Sequence, residues 1–328
     1  MMASGGEALP VGRLAFKARE GRQTALSGFD SRSLPPTPRD VSEAMKNFPG
    51  WLPGRLPILH VGFAFSGTTS LQLNLLSRRA DVFYAGLPYG GLGGIFSRIK
   101  YQEPEQYDSD LVAGLCKEWI FDRMSAGQRL VLSDETFVEQ PAIYYTPALA
   151  PIGTIAVRLR NIFGDGIVLF TLRNQYRAVI SNYLTLKRNA ADEGREIEPF
   201  DAWIAGNRTQ IRNLHLRNLD ASYAIRIYQR VFGRHAVHVL PLEQLTESGT
   251  GAYLARLAEI TGLEVSPREV EAYVRRNGSP PNDIELSPEQ RSFVQGRAAA
   301  GNVLIASEFG LPLREFGYPW PAGDDCSG

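Results

Sequence analysis

Between residues 56 and 76 the chain has to pass from a strand through a glycine-bounded turn straight into a helix. The apolar run Leu56 to Val61 reads as the strand, and the amphipathic positions Leu71, Leu75 and Leu76 read as the helix. Between them stands His60-Val61-Gly62-Phe63-Ala64-Phe65-Ser66-Gly67-Thr68-Thr69-Ser70. A helix that starts this abruptly leaves backbone N–H groups aimed into the turn, where they and the helix dipole favour an anion. Gly62 and Gly67 permit close approach of a ligand to the backbone, and Thr68 and Thr69 add hydroxyl donors. The turn is therefore equipped for a phosphate.

The spacing Gly62-x-x-x-x-Gly67 is that of a phosphate loop, but the lysine that would follow in a nucleoside-triphosphate enzyme is Thr68. That lysine normally reaches the terminal phosphates, so the triphosphate of ATP is disfavoured as the ligand.

The rest of the chain repeats the strand-then-helix pattern. Short apolar runs at Val82–Tyr84, Leu130–Ser133 and Ala236–Leu240 read as strands. The continuous run Ile167–Leu172 reads as a strand buried on both faces of a parallel sheet. Helices are expected at Leu71–Arg79, Ser109–Ser125, from Arg177, at Ser222–Phe232 ended by Gly233, and at Tyr253–Thr261 ended by Gly262. The expected fold class is α/β, a phosphate-loop-type parallel sheet flanked by helices, with ligands at the carboxyl edge of the strands. Gly86, Gly90, Gly91, Gly93 and Gly94 read as a glycine-rich loop that, with Tyr84 and Tyr89, could shape an acceptor side. Residues 1–50, rich in Gly, Ser, Pro and Arg, are expected to form a flexible arm. Residues 51–321 are expected to form the α/β domain and 322–328 a disordered tail.

Composition narrows the function classes. The 328 residues are 44% hydrophobic and 21% charged, and 35 basic side chains balance 35 acidic ones. No general affinity for nucleic acid or acidic membranes is implied. Cys116 and Cys326 are too far apart in sequence to suggest a framework, and the four histidines lack metal-ligand spacing. No metal is required by any motif. With no apolar run near the ~20 residues of a membrane span and no signal-like start, the expected location is cytoplasmic. Nothing in the chain speaks to oligomeric state.

A second constellation follows the Ile167–Leu172 strand: Arg173-Asn174-Gln175-Tyr176-Arg177-Ala178-Val179-Ile180-Ser181-Asn182-Tyr183. A guanidinium at a strand end, with the hydroxyl of Ser181 two helical turns on, is equipment for a second phosphate. Arg177 reads as a solvated or structural charge, and Tyr183 equally as pocket lining or packing.

Taken in order, Gly-x-x-x-Ser-Gly-Thr-Thr and then, about a hundred residues on, a strand and Arg-x7-Ser resemble the sulfotransferases that use 3′-phosphoadenylyl sulfate. The helix, strand and Leu-Glu-Gln-Leu of residues 223–245 look like a segment of the bacterial and carbohydrate-type members. The resemblance spans roughly Pro57 to Ser279. It implies that Ser66, Gly67, Thr68, Thr69 and Ser70 surround the 5′-phosphosulfate, and that Arg173 and Ser181 hold the 3′-phosphate. It implies, more weakly, that Arg276 belongs to a basic loop closing over the donor. The co-substrate would be 3′-phosphoadenylyl sulfate, and the acceptor a carbohydrate or small molecule carrying a hydroxyl or amine.

The chain departs from the family at Phe65, where a lysine, or sometimes an arginine, usually steadies the leaving phosphate. Lys187, Arg188, Arg276 and Arg78 are the candidate replacements. For the base that takes the acceptor proton, Leu132-Ser133-Asp134-Glu135-Thr136-Phe137 is best placed, at the end of a strand; Glu135 is the first choice and Asp134 the second. Both could equally cap the following helix. His60, inside a strand, reads as a core histidine, and His215, His235 and His238 as structural or exposed. Glu243 reads as a structural cap. Two other classes stay open: a non-catalytic protein that keeps the fold and binds donor product or a partner, for which Phe65 argues, and a kinase or nucleotide hydrolase with an eroded loop. Against the latter stand Thr68 and the lack of an obvious magnesium-holding Asp after an apolar strand.

Overall fold

A computed structural model of the chain describes residues 55–86, 92–138, 151–209, 216, 218–273 and 284–323. The expected 1–50 arm, Tyr89, Gly90, Gly91, His215, Arg276 and residues 324–328 lie outside them.

Five strands form one parallel sheet: β1 (Ile58–His60), β2 (Val82–Gly86), β3 (Arg129–Ser133), β4 (Ile167–Leu172) and β5 (Val237–Pro241). Their order is β2-β3-β1-β4-β5, and every pairing is parallel. β1 is central. On one side the chain goes out to β2 at the edge and returns to insert β3 beside β1, then crosses to the other side and builds outward through β4 and β5. The reversal falls at β1, and in open α/β sheets the crevice at such a reversal is where ligands bind.

Alternate residues of each strand feed opposite faces. Leu59, Leu132, Val168 and Phe170 belong to one apolar cluster. It is completed by α2 (Gly93–Tyr101), α3 (Ser109–Trp119), α4 (Ile152–Phe163) and α7 (Ala221–Phe232). Ile58, Val131, Leu169 and Leu240 belong to a second cluster on the other face. There they meet α1 (Thr68–Asn74), α8 (Leu242–Glu247) and α9 (Gly249–Thr261), with α10 (Pro267–Ala272) beside them. The result is three layers, helices on both faces of a parallel sheet, as the β/α alternation predicts. A third cluster joins α5 (Gln175–Asp192), α6 (Phe200–Thr209) and α11 (Pro288–Phe309). Tyr183 is buried there, 5.1 Å from the ring of Phe200 and 5.5 Å from that of Trp203, so its role is packing.

Several expected elements shift by a residue or two, and some shift more. The first helix is only seven residues long and gives way at Leu75 (φ −123°) to a 3₁₀ turn at Leu76–Arg78. Gly93 and Gly94, expected in a loop, open α2 instead; Ile95, Phe96 and Ile99 bury its apolar face, and that burial outweighs the poor helix propensity of glycine. Asn174 starts α5 two residues before the expected Arg177 by accepting hydrogen bonds from the Tyr176 and Arg177 amides.

Candidate active site

Three adjacent strands, β3, β1 and β4, end at one edge of the sheet, and the segment leaving each carries part of the motif set. The loop after β1 first runs along β4: Val61 N donates to Leu169 O at 3.0 Å and Phe63 N to Thr171 O at 3.2 Å. This contact explains Gly62, because a Cβ there would lie 2.1 Å from Thr171 Oγ1. The chain then turns through Phe65 (φ 65°) and Gly67 (φ 83°), both in the left-handed region, before Thr68 opens α1. That conformation is ordinary for glycine and strained for an aromatic residue. Ser66 N donates back to Phe63 O, and the helix start has no side-chain cap.

From the end of β4, the Arg173 guanidinium reaches back across the edge and donates from Nη1 to Phe65 O at 2.9 Å. The chain therefore lacks a cation in the side chain of residue 65 and gains one against its carbonyl. Asn174 is anchored from three sides: its amide donates to Glu243 Oε1 at 3.1 Å, and its Nδ2 donates to Gly317 O at 2.7 Å and Phe316 O at 3.2 Å. Glu243 Oε2 accepts from Tyr318 OH at 2.6 Å. Glu243 is thus a buried strut for the start of α5. Ser181 is buried on α5, two turns beyond Arg173. Arg177 is half exposed and 3.9 Å from Glu247, a solvated charge as its position suggests.

From the end of β3 come the two carboxylates, in different circumstances. Asp134 is fully buried. Its Oδ2 accepts from Lys100 Nζ at 2.7 Å, and its Oδ1 accepts from Thr136 N at 2.8 Å and from Thr136 Oγ1. Lys100 also donates to Thr136 Oγ1 at 2.7 Å. Glu135 is half-buried and turned the other way: its Oε2 accepts from Thr68 Oγ1, at the first position of α1, at 2.6 Å. One carboxylate is locked into a buried ion pair, and its neighbour lies at the mouth of the glycine loop. Sequence reasoning missed Lys100; the only trace of it was a lysine among the apolar positions of a helix.

Beneath the loop lies a chain of buried polar side chains. Gln72 Nε2 donates to Ser133 Oγ at 2.9 Å, and Ser133 Oγ is 2.7 Å from His60 Nδ1. His60 Nε2 is 3.4 Å from Thr171 Oγ1, which is 2.7 Å from Ser66 Oγ, and Ser66 Oγ donates to Phe63 O. His60 is wholly buried, and burial lowers its pKa from 6.5 to about 4. Ser66, expected to face the donor, spends its hydroxyl on this chain. Thr171 and Ser133 were not singled out from the sequence, though each is the hydroxyl that interrupts or ends an apolar strand.

The described candidate replacement cations, Arg78, Lys187 and Arg188, lie away from this edge, and Arg276 is outside the described residues. Arg78 is exposed at the end of the 3₁₀ turn that follows α1. Lys187 and Arg188 are exposed on α5, about four turns beyond Arg173. His235 is exposed, and His238 is half-buried on β5. Among the described residues no group of three or more His, Cys, Asp or Glu is placed to hold a metal ion, and no described helix is long and apolar enough to cross a membrane.

The architecture is shared with solved structures. A sulfotransferase from Alicyclobacillus acidocaldarius superposes with a TM-score of 0.55 at 17% identity, over 80% of this chain and 99% of that one. The sulfotransferase domain of the Synechococcus PCC 7002 olefin synthase gives 0.41 at 12% identity, over 78% and 94%. The sulfotransferase domain of the curacin biosynthetic pathway gives 0.37 at 16% identity, over 81% and 100%. No family model matches the sequence, and no curated protein matches it. The superposition on the Alicyclobacillus acidocaldarius structure shows the fold, that of a sulfotransferase-like α/β protein.

Proposed function

We propose that this chain transfers a sulfonate group from 3′-phosphoadenylyl sulfate to a hydroxyl or amine of a carbohydrate or small metabolite. The observation that carries the reading is the Thr68–Glu135 hydrogen bond of 2.6 Å, which joins a carboxylate base to the first residue after the glycine loop. Sulfonate transfer needs that juxtaposition, since the acceptor proton must leave where the donor is held.

In the proposed reaction the acceptor oxygen attacks sulfur in line with the bridging oxygen. The new S–O bond forms as the bridging S–O bond breaks, and the electron pair departs on the phosphate of 3′,5′-ADP. Glu135 takes the acceptor proton. Asp134 is the weaker candidate, because both its oxygens are already engaged by Lys100 and Thr136. The loop amides, that of Thr68 among them, and the hydroxyl of Thr69 hold the 5′-phosphosulfate, with Gly67 and Ser70 as backbone; the Thr68 hydroxyl proton goes to Glu135. Arg173 and Ser181 select the donor by its 3′-phosphate, and Arg276 is proposed to close over it. Arg173 also brings the positive charge that Phe65 lacks to the edge of the loop.

Calorimetric titration with 3′,5′-ADP, with ATP and 5′-AMP as controls, tests the donor assignment. Binding that requires the 3′-phosphate supports it, and equal affinity for 5′-AMP removes it. One observation favours a second reading, a binding protein without catalysis: the uncharged Phe65 in a left-handed turn at the family's cation position. Phe65→Lys separates the two readings. An enzyme already active in the wild type supports transfer, whereas activity that appears only with the lysine supports the binding role.

A further inference from the structure

The buried chain beneath the loop has a direction, and its two ends set it. At one end Phe63 O, a carbonyl, can only accept, so Ser66 spends its proton there. Thr171 must then donate to Ser66, and His60 Nε2 must donate to Thr171. At the other end Gln72 Nε2 can only donate, so Ser133 accepts from it and keeps its own proton available for His60 Nδ1. The Nε2 end fixes that nitrogen as protonated, and a ring buried among these uncharged partners is then neutral and accepts on Nδ1. A charged ring would donate from both nitrogens, and Ser133 would give its proton elsewhere.

The placement follows from strand register. His60 pairs with Ser133 on β3 and with Leu169 on β4. On the face that meets α1, the row Ile58, Val131, Ile167 is apolar and packs into one core cluster. In the next row toward the ligand edge the same face carries His60 and Ser133 beside Leu169, and Thr171 follows further along β4. A core that needed only volume there would continue the apolar row; this one spends three polar side chains, each buried and each hydrogen-bonded. The chain runs from the helix after the loop, across three strands, and back into the loop. It also takes in Ser133, two residues before Glu135.

We infer that His60 is a positioning residue: through Thr171 and Ser66 its neutral imidazole holds the glycine loop in its ligand-ready turn, and through Ser133 it ties that loop to the segment carrying Glu135. The inference rests on the reading of residues 62–70 as the donor loop.

Its first test needs no nucleotide. Ring ¹⁵N-labelled histidine spectra of the full chain at pH 7 report the tautomer, and the signal that vanishes in His60→Gln identifies His60 among the four histidines. A neutral ring protonated on Nε2 is expected. An Nδ1–H tautomer or a charged ring overturns the relay. The second test compares His60→Gln with His60→Asn in 3′,5′-ADP titrations. A glutamine amide reaches the Nε2 position and keeps the Thr171 arm, whereas an asparagine amide reaches the Nδ1 position and keeps only the Ser133 arm. Gln is expected within about threefold of wild type and Asn roughly tenfold weaker, the scale of one hydrogen bond. Equal losses, or the reverse order, overturn the positioning role. Thr171→Val, which preserves shape and removes the hydroxyl, is expected to match Asn and serves if either His60 variant fails to fold. Wild-type protein that ignores 3′,5′-ADP would sink the donor reading, while the tautomer still decides the relay.

Discussion

Thr68 Oγ1 donates to Glu135 Oε2 at 2.6 Å, so the residue that opens the loop helix and the second carboxylate after β3 are hydrogen-bonded at the ligand edge. On the proposed reading, Glu135 takes its proton from an acceptor already beside the donor. Glu135→Gln keeps the shape and the hydrogen bond but removes the basicity. Steady-state assay with a hydroxyl acceptor is expected to show kcat reduced at least about a hundredfold, the usual scale for a lost general base. Titration with 3′,5′-ADP is expected to stay within about threefold of wild type. A variant with full kcat would return the search for the base to other residues.

Arg173 is a different case, because its guanidinium is bonded to the loop itself. Arg173→Ala removes both the proposed phosphate contact and the hydrogen bond to Phe65 O. A charged contact of this kind is worth about 1.5–3 kcal/mol, so 3′,5′-ADP is expected to bind roughly ten- to hundredfold more weakly. Arg177→Ala is the control. That side chain is half exposed and 3.9 Å from Glu247, an arrangement that contributes little. Comparable losses in the two variants would mean that general positive charge, and not Arg173, attracts the ligand.

Lys100 and Asp134 form the ion pair that holds the Glu135 segment, at 2.7 Å with side-chain exposures of 7% and 0%. Lys100→Met leaves a carboxylate buried without its cation. Thermal or denaturant unfolding is expected to show a loss of about 3–5 kcal/mol. Lys117→Met, which breaks a pair with Asp122 that is half exposed on both sides, is expected to change stability by less than about 1 kcal/mol. If the two cost the same, the buried pair is not what fixes the segment.

The sequence revealed the parts of this molecule that depend on local pattern. The strand Ile167–Leu172 is apolar but for Thr171 and lies in the sheet with those bounds. The glycine loop was legible because glycine is needed at Gly62 by the close approach of Thr171 and at Gly67 by a positive φ. Sequence pattern could not carry long-range pairing. Arg173 meets Phe65 across 108 positions, Lys100 meets Asp134 across 34, and His60 reaches Ser133 and Thr171 across 73 and 111. None of these has a periodicity. His60 in particular reads as an ordinary core histidine until the strand order places β1 between β3 and β4.

That central histidine also makes stability depend on pH. His60 faces Ser133 from β3 and Thr171 from β4, and neither is charged; the nearby carboxylate of Asp134 is engaged by Lys100. Burial is the cause that lowers its pKa from 6.5 to about 4. The folded chain therefore resists a proton that the unfolded chain accepts, so folding is favoured above pH 6.5 and loses that advantage as the pH falls toward 4. Each pH unit in that window is worth about 1.4 kcal/mol, so the histidine alone accounts for about 3 kcal/mol. Denaturant unfolding of the wild type across that window is expected to show this loss superimposed on the titration of the carboxylates. His60→Gln cannot titrate, and its stability curve is expected to be flatter by the same amount. Parallel curves for the two proteins would show that the ring takes up its proton in the folded state at an ordinary pH.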